Sequence, residues 1–156
     1  MILSSETIRA MNIIENAEPA GRQSGMSYGP SVCGYDIRAD IREDQDLGCG
    51  VWLEPGQGIL LGTRERMNIP ALVVGFVKDK STWARRGLCN SQGVAEPGWR
   101  GHLSVFVCNH GAEPLLIMDG DPIAQVIFQW LDKLPDVGYT GKYQDQGSGP
   151  QPAKYE

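Results

Sequence analysis

Turn-forming residues recur along the whole chain and confine its apolar segments to short runs. Tyr28-Gly29-Pro30, Glu54-Pro55-Gly56, Asn68-Ile69-Pro70, Glu96-Pro97-Gly98 and Gly120-Asp121-Pro122 all carry glycine, proline or both. Proline fixes φ and lacks an N–H, and glycine reaches positive φ without strain, so each cluster ends a regular element. Between them, 35–40, 58–64, 71–78, 103–109, 115–118 and 124–131 read as strands. The Val-Phe-Val and Val-Ile-Phe runs suit buried ones. Ser4 or Ser5 caps a short helix through about Glu15, with Ile8, Met11 and Ile14 on one face. Residues 18–30 read as a loop. From Gly138 onward the chain is polar and rich in Gly and Pro, a composition that does not join a core. The expected architecture is all-β, with one domain over 1–137 and a mobile C-terminal arm over 138–156.

The chain has 156 residues, enough for one domain with a proper core, and a net charge of −5. That balance argues against a nucleic-acid backbone as the main partner. Cys33, Cys49, Cys89 and Cys108 show no C-x-x-C spacing and no zinc pattern with His102 or His110. They read as incidental thiols of a reduced intracellular, cytoplasmic protein. The opening MILSSETIRAMNII has no cationic segment before a long apolar run, so a signal peptide is not expected, and no run is long enough for a membrane-spanning helix.

The richest segment chemically is 80–101, KSTWARRGLCNSQGVAEPGWRG. Its first half gathers Lys80, Ser81, Arg85 and Arg86, cations and a hydroxyl that suit a phosphate. Its second half reads as a hairpin with one carboxylate, Glu96, followed by Trp99. A lone carboxylate beside an aromatic ring suits a sugar and an activated water, so the segment points to a nucleotide. Arg86 reads as a surface or subunit contact, and a lone Trp is by default a core residue. Asp36 serves equally well as a turn residue. Gln125, within an apolar run, needs a hydrogen-bond partner. His102 and His110 read as surface or contact groups.

Five blocks in order resemble the dUTPase and dCTP deaminase superfamily over nearly the whole chain: Cys33-Gly34-Tyr35-Asp36-Ile37-Arg38-Ala39, Lys80-Ser81-Thr82-Trp83-Ala84-Arg85, Gly93-Val94-Ala95-Glu96-Pro97-Gly98-Trp99-Arg100-Gly101, Gly120-Asp121-Pro122-Ile123-Ala124-Gln125 and Gly141-Lys142-Tyr143-Gln144. The resemblance implies a distorted β jelly roll, a homotrimer and active sites shared between subunits. It implies that Lys80, Ser81, Arg85 and Gln125 hold phosphates, with Asp36 supporting them. Lys142 and Gln146 of the arm reach the triphosphate, and magnesium arrives on the triphosphate oxygens.

The MILS opening and the GKYQ tail look more like the deaminase branch. Deaminases of this family carry a proton-shuttling Glu on the strand after the hairpin, where this chain has Phe106, and a phenyl ring transfers no proton. The hairpin is instead similar to that of dUTPases. Asn90 and the backbone around Gly93 would pair with uracil, Trp99 would pack on the deoxyribose, and Glu96 would replace the Asp that orients water. The tail lacks the Gly-rich Phe motif of dUTPases, a place that Tyr139 or Tyr143 could fill. The resulting expectation is dUTP hydrolysis to dUMP and diphosphate. The alternatives are dCTP deamination, alone or bifunctional, and a non-catalytic nucleotide-binding member.

Overall fold

The computed structural model of the chain describes residues 1–41 and 49–155. Two short helices, α1 (Ser5–Ala10) and α2 (Ser81–Ala84), accompany a set of strands. In chain order these are β1 (Ile14–Glu15), β2 (Gly21–Gln23), β3 (Met26–Ser31), β4 (Gly34–Asp40), β5 (Gly50–Leu53) and β6 (Gly58–Asn68). They continue with β7 (Val73–Asp79), β8 (Leu88–Asn90), β9 (Val94–Ala95), β10 (Arg100–Asn109), β11 (Leu115–Met118) and β12 (Pro122–Trp130). The strands form a curled antiparallel sheet in the order β8–β10–β6–β4–β12–β7–β9. Strand β1 extends β6, β3 joins β4 and carries β2, and β5 pairs with β11. This is the all-β, jelly-roll type of architecture expected from the sequence.

Alternation along the strands fills the interior, because successive side chains point to opposite faces. On β12, Ala124, Val126 and Phe128 are fully buried, as are Ile37 on β4, Leu61 on β6 and Val107 on β10. Helix α2 is held by Trp83, whose indole N–H donates to Pro122 O at 3.0 Å.

Three sequence expectations change. The N-terminal helix stops at Ala10, and Asn12 takes a left-handed φ of 50°. Asparagine tolerates that region, and the reversal sends Ile14 into a strand opposite Met67. Within 18–30 lies a β2–β3 hairpin, turned by Ser24 at φ 48° and Gly25 at φ 77°. Its short strands, with Met26 the one core residue, carry too little alternation to announce it, but a pair of positive-φ residues matches the twist of antiparallel strands. Finally, the arm lies against the domain: Tyr139 packs on the core and Gln146 is buried.

Strand β4 is the junction of the sheet. Along one edge it pairs with β3 through Gly34–Asp36 and with β6 through Ala39 and Asp40, so among the described residues Arg38 has no strand partner on that edge. A side chain completes the ladder. Arg38 N donates to Glu65 Oε2 at 2.7 Å and Arg38 Nε to Oε1 at 2.8 Å, both groups being buried. Arg38 Nη1 also donates to Glu18 at 2.9 Å. Burial pushes the Glu65 carboxyl above the usual carboxylate range, opposed by its bonds to Arg38. Removing one partner of a buried pair strands the other charge, so Glu65→Gln is expected to lower stability by ~3 kcal/mol in urea unfolding. A midpoint unchanged from that of the parent chain would contradict this role.

Candidate active site

The hairpin begins where β8 leaves the sheet. Asn90 N donates to Asp79 Oδ1 at 2.8 Å, tying the start of the loop to the end of β7. Asn90 Oδ1 accepts from Gln92 N at 2.8 Å, which supports the left-handed Gln92 at φ 44°. Asn90 Nδ2 is buried without a partner among the described residues. Past the tip, Gly93 O accepts from Val77 N at 2.9 Å, and β9 pairs with β7. The Glu96-Pro97-Gly98 turn, with Gly98 at φ 82°, then swings Trp99 inward.

A cavity of about 410 Å³ opens between this hairpin, β10 and the arm. Glu96, Gly93 and Trp99 line one side, Leu103 and Ser104 the floor, and Tyr139, Tyr143 and Gln146 the roof. Glu96 is the only carboxylate among the described residues lining it.

Hydrogen bonds fix the arm over this space. Trp99 Nε1 donates to Tyr143 O at 2.7 Å, and Gln144 Nε2 to Gly98 O at 2.9 Å. Gln146 Nε2 donates to His102 O at 2.8 Å and to Ser104 Oγ at 2.9 Å. Asp145 accepts from both Arg66 and Arg100, adding an exposed ionic tie. The close approach depends on Gly101: at φ 142°, a Cβ there would lie 2.7 Å from Gln146 N.

The remaining sequence candidates gather elsewhere. Lys80 Nζ donates to Asp36 Oδ2 at 2.5 Å and to Ser27 Oγ at 3.0 Å, within a buried pair. Asp36 Oδ1 is buried and has no partner among the described residues. Gln125, opposite Asp36 in the β4–β12 register, donates to Ser31 Oγ at 3.0 Å. Ser81, at the start of α2, and Arg85, just past its end, stand exposed and outside the cavity lining. Lys142 is exposed on the arm, its ammonium 5.8 Å from the Tyr143 ring centre. Phe106 is partly exposed on β10, its ring against Gly58.

The structure thus brings Glu96, Gly93, Trp99 and Gln146 together, sets Asn90 just outside, and separates the cationic group. Two contributors escaped the sequence reading. Asp79 anchors the hairpin, and Ser104 receives both Gln146 and Gln151 N. A serine within the apolar Leu-Ser-Val-Phe-Val run was the available signal for the second. Asp79, at the end of a strand, carried none. Among the described residues no group of three or more His, Cys, Asp or Glu side chains is placed to hold a metal, and no helix is long and apolar enough to cross a membrane.

Comparison with known proteins gives a consistent family. The family model described as dCTP deaminase-like matches residues 27–131. A Herpetosiphon aurantiacus protein named dCTP deaminase is 35% identical over 145 residues, covering 78% of this chain and 79% of the relative. A Desulfitobacterium hafniense protein named deoxyuridine 5'-triphosphate nucleotidohydrolase is 37% identical over 103 residues, covering 64% of each. In three dimensions the chain resembles the 2'-deoxycytidine 5'-triphosphate deaminase of Agrobacterium tumefaciens, with a TM-score of 0.64 and 16% identity. That match covers 83% of this chain and 48% of the other.

The bond from Trp99 to the arm is testable without any ligand. Trp99→Phe keeps a ring in place but leaves Tyr143 O without its donor, a loss of ~1 kcal/mol. Limited proteolysis should then cut the arm several-fold faster; an unchanged rate would show that this bond does not hold it.

Proposed function

Because the chain belongs to the dCTP deaminase-like family, we propose that it acts on a pyrimidine deoxynucleoside triphosphate and hydrolyses dUTP to dUMP and diphosphate. The observation that carries the reading is the single carboxylate of the cavity. Glu96 borders it, while β10 offers Phe106 where a deaminase of this family has its proton-shuttling Glu. A phenyl ring neither accepts the proton of a water nor delivers one to a departing amine. Glu96 takes the proton of a water, the water oxygen bonds to the α-phosphorus, and the bond to the diphosphate oxygen breaks. The hairpin backbone, with Asn90 and Gly93, meets the base edge, and Trp99 packs against the sugar.

Ser81 and Arg85 do not face the cavity of their own chain. That separation supports a homotrimer in which a neighbouring copy's α2 supplies the phosphate contacts. Lys80, held by Asp36, and Gln125 would shape that surface from beneath. The arm, with Lys142 and Gln146, opens to admit the nucleotide and closes over it. With no cluster of ligating side chains among the described residues, the nucleotide itself would carry the magnesium, which would supply neutralisation of phosphate charge.

Deamination of dCTP is the second reading, favoured by the name of the Herpetosiphon relative. In that reaction water adds at the amine-bearing ring carbon and ammonia leaves. The two chemistries separate in one experiment, in which the protein is incubated with each deoxynucleoside triphosphate and magnesium while diphosphate and ammonia are followed. Diphosphate from dUTP without ammonia from dCTP is expected; ammonia from dCTP would establish the second reading. Glu96→Gln should lower diphosphate release by a factor of about a hundred or more while nucleotide binding persists. Full activity in that variant would remove Glu96 from the mechanism.

A further inference from the structure

Two of the four cysteines lie opposite each other across a pair of strands, with Cys108 Sγ 4.0 Å from Gly56 O. In the antiparallel register of β8 and β10, Cys89 lies directly opposite Cys108, between Asn90 opposite Val107 and Leu88 opposite Asn109. Both cysteines are free, and neither is fully buried. Directly opposed residues in a sheet point to the same face. Ser91 N donates to Phe106 O at 2.9 Å, and His110 N donates to Gly87 O at 2.8 Å. These bonds set the phase of the ladder and make Cys89 and Cys108 a hydrogen-bonded pair, with Cα atoms about 5.5 Å apart. That distance lies inside the range of about 4.4–6.8 Å that a disulfide spans.

We propose that Cys89 and Cys108 form a reversible intrachain disulfide that clamps the base of the cavity hairpin to β10. The oxidant is a low-molecular-weight disulfide. One protein thiolate attacks a sulfur of that compound and expels one small thiolate, leaving a mixed disulfide on the protein. The second protein thiolate attacks the protein sulfur and expels the other small thiolate. Two protein thiols are oxidised, one small disulfide is reduced to two thiols, and the two protons end on the departing thiolates.

The geometry also accounts for reversibility. Opposed Cβ atoms sit about 4.5–5.5 Å apart, whereas a disulfide draws them to about 3.5–4.5 Å. Closing the bond pulls β8 toward β10, and a bond held away from its preferred geometry is more easily reduced. The clamp sits at a consequential place. Asn90 follows Cys89 directly, and Ser91 and Gly93 border the cavity on one side while Ser104 and Val105 of β10 border it on the other. Cys33 and Cys49 are exposed and belong to other parts of the chain.

The test uses the full chain carrying Cys33→Ser and Cys49→Ser, which leaves only the opposed pair. Incubation with oxidised glutathione should remove two hydrogens from the intact mass, with no retained glutathione and no chain-to-chain product. Peptide mapping should link Cys89 to Cys108, and dithiothreitol should restore the starting mass. Adding Cys108→Ser should leave a stable glutathione adduct on Cys89 instead. Hydrogen exchange at Ser91 and its hairpin neighbours should slow several-fold on oxidation, a readout that requires no nucleotide and stands apart from the reaction proposed above. Separate glutathione adducts on both cysteines, linkage between chains, or two thiols unchanged across all oxidant ratios would overturn the proposal. Unchanged hairpin exchange in the linked form would overturn the clamp.

Discussion

The contact between Arg38 and Glu65 is the constraint on which the sheet depends. Strand β4 must serve β12 on one edge and two successive partners, β3 and β6, on the other. Where those partners part, the backbone N–H of Arg38 is buried and no strand can meet it. A buried donor without an acceptor is costly, so the Glu65 carboxylate stands in for a strand carbonyl. The same carboxylate then requires a counter-charge, which Arg38 supplies from its own side chain. One acidic residue thereby satisfies a backbone gap and fixes how β3 and β6 diverge from β4.

That divergence propagates to the site. Strand β6 carries β10 along its length, and β12 carries β7, which in turn holds β9. The hairpin between β8 and β9 is therefore suspended between the two arms of the curled sheet, with Asp79 and Val77 anchoring one side and β10 the other. Glu96 and Trp99 inherit their positions from this suspension. The C-terminal arm adds the remaining wall through backbone contacts that only a glycine at position 101 admits.

Much of the site was legible before any coordinates. Glu96, Gly93 and Trp99 stand close together in one turn-rich segment, so local sequence places them together, and the structure agrees. Gln146 was expected near the triphosphate by resemblance alone; that it bonds to His102 O and Ser104 Oγ beside Glu96 and Trp99 is something only the fold shows. The contact between Lys80 and Asp36 was not legible. It pairs residues far apart in the chain, and only the β4–β12–β7 register brings them within reach. The β2–β3 hairpin escaped for the opposite reason: only Met26 of its residues joins the core, too little for hydrophobic periodicity to report.

The sequence by itself determined the all-β class, because glycine and proline limit where regular backbone can run, and it determined the family through five ordered motifs. It also determined that a phenyl ring stands at position 106, a matter of residue identity alone. Tertiary structure decided what those residues meet. Only the fold shows that Lys80 is neutralised beneath α2 while Ser81 and Arg85 face outward, that the arm packs over the Glu96 cavity, and that Cys89 opposes Cys108. Side-chain hydrogen bonds from Trp99, Gln144 and Gln146 place the arm, and the sheet places the two pairings. Strand register couples residues at long sequence separation through backbone hydrogen bonds, and a one-residue slip would turn each side chain to the other face.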